Sequence, residues 1–376
     1  MMNKLRHFSK IILFTLLWGT FSCNNDEDVS PISLGENGFF IVNEGLFNGG
    51  TASLSFFDVD TEQIQNNIFF TVNGQPLGDQ AQSMTIIGDK GYIVVQNSNK
   101  IEVIDTDNVI SLATIDGTKG IASPRYLLAI NDEKAYISDW GATGDVGTVK
   151  VLDLTTNTVT KTIPTGFGTN RMILVGENVY AANGGGFNNI TFEPKKDNRV
   201  VVINTSTDEV TQEITVGDNP KSLDIDSEGN IWVAGTGNIV LNDDFSVNLD
   251  ATTPGFISKI SPDNEVLFTV FMSQKNVGPN HLVFNKSKDG LYLDYEKDIY
   301  NVGTIGTNTE EDFEMNLFID REKEFYGFAV NPSNGNFIGT VAPGFSSDGF
   351  IIRYTEEGEL IGEHTSGIAP NSATFK

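Results

Sequence analysis

The chain has 376 residues, with 50 acidic against 24 basic side chains and a formal net charge of −26. A surface of that sign repels nucleic acid and anionic lipid headgroups, which excludes both as non-specific partners. Hydrophobic residues make up 39% of the chain and charged residues 20%, the composition of a packed chain rather than a disordered one. The single cysteine excludes an internal disulfide, a cysteine zinc site and an iron–sulfur cluster.

Residues 1–22 read as a secretory signal. Lys4, Arg6 and Lys10 form its positive start, and Ile11 to Trp18 is an apolar stretch too short for a permanent span. Gly19, Thr20 and Ser22 then lead to Cys23, in an arrangement that resembles a bacterial lipoprotein signal, although Thr20 and Phe21 depart from its usual residues. The run Asn24-Asn25-Asp26-Glu27-Asp28 resembles the surface-export signal of lipoproteins in the Bacteroidetes. The expectation is a lipidated Cys23, a linker over 23–36 and one folded domain over 37–376 on the outer face of the outer membrane.

Beyond the linker the sequence repeats. An Asp or Asn followed by Thr and then Ile or Val recurs as Asp58-Thr61-Ile64, Asp153-Thr156-Val159 and Asn204-Thr207-Val210, with a looser copy at Asp105. Alternating strands flank each copy, so each reads as a hairpin closed by side-chain to backbone hydrogen bonds. A second phrase, a short apolar strand and a turn, starts near Gln82, Arg125, Arg171, Lys221, His281, Gly327 and Asn371, at spacings of 43 to 60 residues. Each repeat therefore holds four strands, A to D. The first, from Gly38, lacks A, while Asn371–Phe375 is an A strand alone. Joined, they complete a seventh blade. The predicted fold is all-β: a seven-bladed β-propeller of four-stranded blades whose ring is closed by the C-terminal strand, leaving few free sheet edges. Blade six is the weakest match, because its C–D hairpin lacks the Thr phrase.

Phrases such as Val151-Leu152-Asp153-Leu154-Thr155-Thr156 resemble the YncE-like seven-bladed propellers. Asn43-Glu44-Gly45 followed by Gly50-Thr51-Ala52-Ser53-Leu54-Ser55 resembles their surface-lipoprotein branch in the Bacteroidetes. That branch includes cobalamin-capturing lipoproteins that cap a TonB-dependent transporter. The resemblance implies a small-molecule ligand, cobalamin or a related corrinoid, and a transporter partner. Fold alone does not fix a ligand.

Strand direction places the D–A and B–C loops on one face. That face carries Arg125, Arg171, Lys221 and His281 at equivalent A-strand starts, and Trp140, Phe187 and Tyr295 in B–C loops. These seven form the predicted ligand site, a cationic centre with aromatic walls. The alternative is that the basic residues pair with acids of the next blade and seal the ring. His281 has no second His or Cys nearby in sequence to make a metal pair, and His364 reads as surface. Asp224 to Gly229 copies the first half of an EF-hand loop, but Gly235 stands where the bidentate Glu is required, so the segment reads as a turn. Gly184-Gly185-Gly186 lacks the helix start or Lys of a phosphate loop. There is no Gly-x-Ser-x-Gly elbow and no His-Glu-x-x-His. The expectation is a monomeric binding protein with no catalytic set, metal or resident cofactor. The alternatives are an interaction platform and a lactonase-like or glycan-active propeller enzyme, since a carboxylate pair is not readable from sequence.

Overall fold

The computed structural model describes residues 32–304 and 306–376; the signal segment and Cys23 lie outside the described residues. Seven four-stranded antiparallel sheets follow one another around a ring. In the second blade Ala81–Ile87, Lys90–Val95, Lys100–Asp105 and Ser111–Ile115 stand side by side in chain order. The third to seventh blades repeat this order from Pro124, Thr169, Pro220, His281 and Gly327. The first blade is composite: Pro370–Phe375 pairs with Gly38–Asn43, which pairs in turn with Ser53–Asp58 and Gln63–Gln65. The ring is thus closed by the last strand, as the split repeat requires. Blade six keeps four strands, and a long connection through the short turn Glu310–Asp312 replaces the Thr hairpin.

Each inner strand touches the inner strands of the blades on either side, in an unbroken circle. Hydroxyls stitch the circle together. Ser83 donates to the Arg125 carbonyl at 2.8 Å, Thr85 to Leu127 at 2.7 Å, and Thr374 to Met84 at 3.0 Å. The second strand of every blade, and the third strand of every blade but the sixth, is largely buried on both sides, as in Gly38–Asn43, while outer strands such as Thr158–Gly166 and Glu209–Thr215 are largely exposed or half-buried. The core is therefore a series of apolar wedges between blades. Phenylalanine fills the wider ones: Phe328 and Phe337 stack at 5.7 Å, with Tyr292 of the preceding blade 4.6 Å from Phe337. Leu34 packs into the first wedge, ahead of the first strand.

The four Asp/Asn–Thr hairpins share one geometry. Asp58, Asp105, Asp153 and Asn204 each accept backbone N–H groups two and three residues on. The residue four places on, namely Glu62, Val109, Asn157 or Asp208, has a positive φ between 53° and 64°. That tight turn with a left-handed residue aligns the third and fourth strands. A left-handed conformation is costly for β-branched Val109, and its complete burial in the first wedge offsets that cost. The EF-hand-like segment is also a turn. Asp226 accepts from the backbone N–H of Glu228 and Asn230 and from Trp232 Nε1, and buried Lys259 Nζ lies 3.8 Å away. Among the described residues no group of His, Cys, Asp and Glu is placed to hold a metal ion.

His364 is half-buried rather than fully at the surface. It lies on the outer strand Leu360–Ile368 but turns into the seam between the last and first blades, its ring 4.7 Å from that of Phe57. Burial, then the charge of Arg353, holds its pKa below the ordinary histidine value.

Candidate functional site

The inner strands enclose a shaft of about 330 Å³, lined by residues of all seven blades. Above it, on the face of the D–A and B–C loops, the shaft opens into a mouth of about 350 Å³. Every inner strand starts at this face, so the first residues of equivalent strands meet there. Arg125, Arg171, Lys221 and His281 all line the mouth.

No described carboxylate lies within 4.0 Å of Arg125, Arg171 or Lys221, whereas Arg199, Arg321 and Arg353 all have one. The alternative of acids sealing the ring therefore does not describe the three mouth cations. Arg125 donates to Gln96 Oε1 and lies over the Trp140 ring, with 4.2 Å from its guanidinium carbon to the ring centroid. Arg171 sits 4.9 Å over the ring of Tyr126. The mouth's own described acids, Glu44 and Glu324, are out of ion-pair range of these three cations, so an anionic ligand would complete their charge.

Desolvation among the strand starts holds the Lys221 ammonium below the ordinary lysine pKa; Tyr126 opposes the shift and Arg125 adds a smaller push, while part of the side chain stays open to solvent. The sign follows: as pH rises through that lowered pKa, Lys221 loses its charge and an anionic ligand loses affinity. We predict that the dissociation constant of a mouth-bound anion rises with increasing pH, beginning before the ordinary lysine value of 10.5 is reached, and that Lys221→Arg removes this rise. A pH series of titrations checks it, and a flat profile in the native protein contradicts it.

The opposite wall is acidic, with Glu324 exposed and Glu44 closed by hydrogen bonds. Glu44, in the first B–C loop, accepts from Tyr326 OH at 2.7 Å, Gln82 Nε2 at 2.5 Å and Asn371 Nδ2 at 3.1 Å. Burial and the Glu44 charge push the Tyr326 phenol far above its usual pKa, so it stays a donor. His281 Nδ1 lies 2.9 Å from Asp294, whose other oxygen takes a 2.6 Å bond from buried Arg321. Several polar atoms around the opening are buried without a protein partner: Arg125 Nε, Asn170 Oδ1 and Asn371 Oδ1 at the mouth, and Ser372 Oγ in the shaft. Such atoms ordinarily find a water or a ligand.

The three predicted aromatic residues are not at the mouth. Trp140 and Phe187 line a separate cleft of about 540 Å³ beside it, with Phe47. B–C loops leave the second strand, so they stand one strand farther from the axis than the inner-strand starts. Tyr295 is in neither cavity. It ends the strand Gly290–Tyr295 and is buried with Leu291 and Leu293 in the wedge between blades five and six. The turn after it is only Glu296-Lys297, so Tyr295 keeps its strand direction and faces inward. Sequence reasoning missed Glu44, Tyr326 and Asn170. Glu44 and Tyr326 come from opposite ends of the chain and meet only through ring closure.

The same face also carries exposed apolar tips on two long B–C insertions: Phe187, Ile190 and Phe192 in blade four, Ile239 and Phe245 in blade five.

Comparison with known proteins supports the architecture. A quinonprotein alcohol dehydrogenase-like protein from Bacteroides thetaiotaomicron aligns at a TM-score of 0.64 and 15% identity, over 90% of this chain and 78% of its own. A functionally unknown protein from Desulfotomaculum acetoxidans aligns at 0.65 and 12%, over 90% and 98%. Kuenenia stuttgartiensis hydrazine synthase aligns at 0.58 and 13%, over 80% and 92%. At these identities the likeness shows the propeller fold alone. No curated protein sequence matches the chain. The family described as Domain of unknown function (DUF5074) matches residues 37–365, nearly the whole ring, and the chain belongs to that family.

Proposed function

We propose that this protein captures a small anionic nutrient at the ring mouth without transforming it, and passes it to a TonB-dependent outer-membrane transporter. The observation that carries the reading is the trio Arg125, Arg171 and Lys221, gathered around one opening without carboxylate partners. A phosphate or carboxylate supplies the missing counter-charge, and charge-assisted hydrogen bonds to it are strong where water is partly excluded. Cobalamin or a related corrinoid is the first ligand to test. That choice rests on the sequence resemblance to cobalamin-capturing lipoproteins and on cobalamin's phosphate and peripheral amides. The exposed apolar tips Ile190, Phe192, Ile239 and Phe245 support a partner docking on this face.

One feature favours hydrolysis as a second reading: His281, oriented by Asp294, faces the three cations like a base beside an anion hole. Binding remains the better account, because no described hydroxyl bonds to the free nitrogen of His281 and Asp294 is shared with Arg321.

The test is a titration panel of cobalamin, haem, inorganic phosphate and neutral oligosaccharides, with lactone and glycoside turnover measured in parallel. Saturable binding of a phosphate-bearing compound without turnover supports the reading. Turnover that His281→Ala abolishes would replace it with the hydrolytic one.

The address is proposed from the signal segment and Cys23. Metabolic lipid labelling of the native protein and absence of label in Cys23→Ser is the expected result. Equal labelling of both removes the anchor from the account.

A further inference from the structure

The cleft beside the mouth is chemically unlike the rest of this surface. Of the chain's 376 residues 74 are charged, yet no charged side chain lines the cleft. Its walls are aromatic, from Phe47, Trp140 and Phe187, and its polar groups include the amides of Gln80, Asn99 and Asn189, whose side chains make no hydrogen bond among the described residues. Phe47 is 69% and Phe187 47% exposed. Aromatic side chains left open to water beside uncharged amides make a surface for a neutral ring with apolar faces and a hydrogen-bonding edge. Amides both donate and accept, which matches hydroxyl groups that do the same. A purely apolar ring would cover those amides without pairing them.

The cleft and the mouth share a wall. Arg125 lines the mouth, Trp140 lines the cleft, and the guanidinium lies against the indole at 4.2 Å. Gln96, also in the cleft, accepts from the same guanidinium and donates to Ser123 Oγ at 3.1 Å. Trp140 is fixed from its other end, with Nε1 donating to the Thr169 carbonyl at 2.8 Å. The wall is thus rigid, with a cation on one side and an aromatic face on the other.

We infer that the cleft is a second subsite that holds a sugar ring, and that the ligand is a phosphorylated sugar whose phosphate reaches the cations of the mouth. The phosphate half rests on the function proposed above; the sugar half stands on the cleft alone. The chemistry has two sources, a free sugar phosphate or the ribose-phosphate loop of a corrinoid.

The experiment is calorimetric titration of the whole protein with inorganic phosphate, a neutral disaccharide, a hexose phosphate, cobalamin, and cobinamide, which lacks the ribose-phosphate loop. A hexose phosphate or cobalamin should bind at least tenfold more tightly than phosphate. Phe187→Ala and Phe47→Ala should remove that gain and leave phosphate binding unchanged. Arg171→Ala should weaken phosphate and leave any disaccharide binding unchanged. Tight cobalamin with weak cobinamide identifies the loop, and tight hexose phosphate identifies the free sugar. If phosphate binds but no sugar-bearing compound binds better, the cleft inference is wrong and the mouth reading stands. If the disaccharide binds in the cleft and phosphate binds nowhere, the sugar subsite stands and the mouth reading fails. Equal affinity for cobinamide and cobalamin, with no hexose phosphate binding, also overturns the sugar subsite.

Discussion

Removing residues 370–376 should abolish cooperative unfolding. That segment supplies the inner strand of the first blade, paired with Gly38–Asn43 from Phe39↔Phe375 to Asn43↔Pro370. Without it, a fully buried strand of sequence Gly-Phe-Phe-Ile-Val-Asn becomes a free edge. An apolar edge of that kind pairs with other chains, so the truncated protein should aggregate or melt broadly. The loss reaches further than one ladder. Asn371 donates to the Ala81 carbonyl and Thr374 to the Met84 carbonyl, so the first and second blades lose their inner contact too. Scanning calorimetry with light scattering reads the outcome. A truncated protein with the native melting curve would refute closure by the last strand.

Asp294→Ala should produce the largest loss from a single substitution near the mouth. Asp294 and the Arg321 side chain are each only 1% exposed, and the 2.6 Å bond between them is the buried ion pair of blade six. Arg321 is also held by the Lys297 carbonyl at 2.6 Å and lies 4.1 Å over Phe325. Removing the carboxylate strands the guanidinium in a site water cannot reach. Breaking such a pair costs about 3–5 kcal/mol, which lowers Tm by roughly 5–10 °C in a domain of this size. The cause can be separated from the cavity left behind. Asp294→Ala combined with Arg321→Met removes the stranded charge and should recover most of the loss, as measured by thermal melts. A double variant no better than the single one would mean that the charge is not what matters. The single variant should also free His281 and alter the mouth.

The repeat arithmetic carried the architecture because its signals are local. An Asp that closes a turn on Thr, and an apolar strand at a fixed distance, leave the same trace in each blade. Even the closure was legible, since the first repeat lacks the strand that the end of the chain supplies. The mouth cations were legible for the same reason: equivalent inner-strand starts share a phase, so Arg125, Arg171, Lys221 and His281 had to meet around one opening. Loop geometry was harder to read. Trp140 and Phe187 were placed on the correct face but too near the axis, because sequence gives no radius. Tyr295 was recoverable from parity: Leu291, Leu293 and Tyr295 alternate along one strand, and all three are buried in one cluster. The Glu44–Tyr326 contact was not recoverable, since its partners are 282 positions apart. His364 read as surface from its outer-strand position, and its contact with Phe57 across the seam leaves it half-buried.

The central claim is that an anion binds at the mouth through cations that have no acid of their own. The most direct measurement is the affinity of a confirmed phosphate-bearing ligand for the native protein, for Arg171→Ala with Lys221→Ala, and for the control Lys150→Ala on the third strand of blade three. Each charge-assisted contact contributes about 1.5–3 kcal/mol, so the double variant should bind at least about a hundredfold more weakly. The control should bind like the native protein, and the native affinity should fall as salt rises. A double variant with native affinity would contradict the claim and move the site away from the ring mouth.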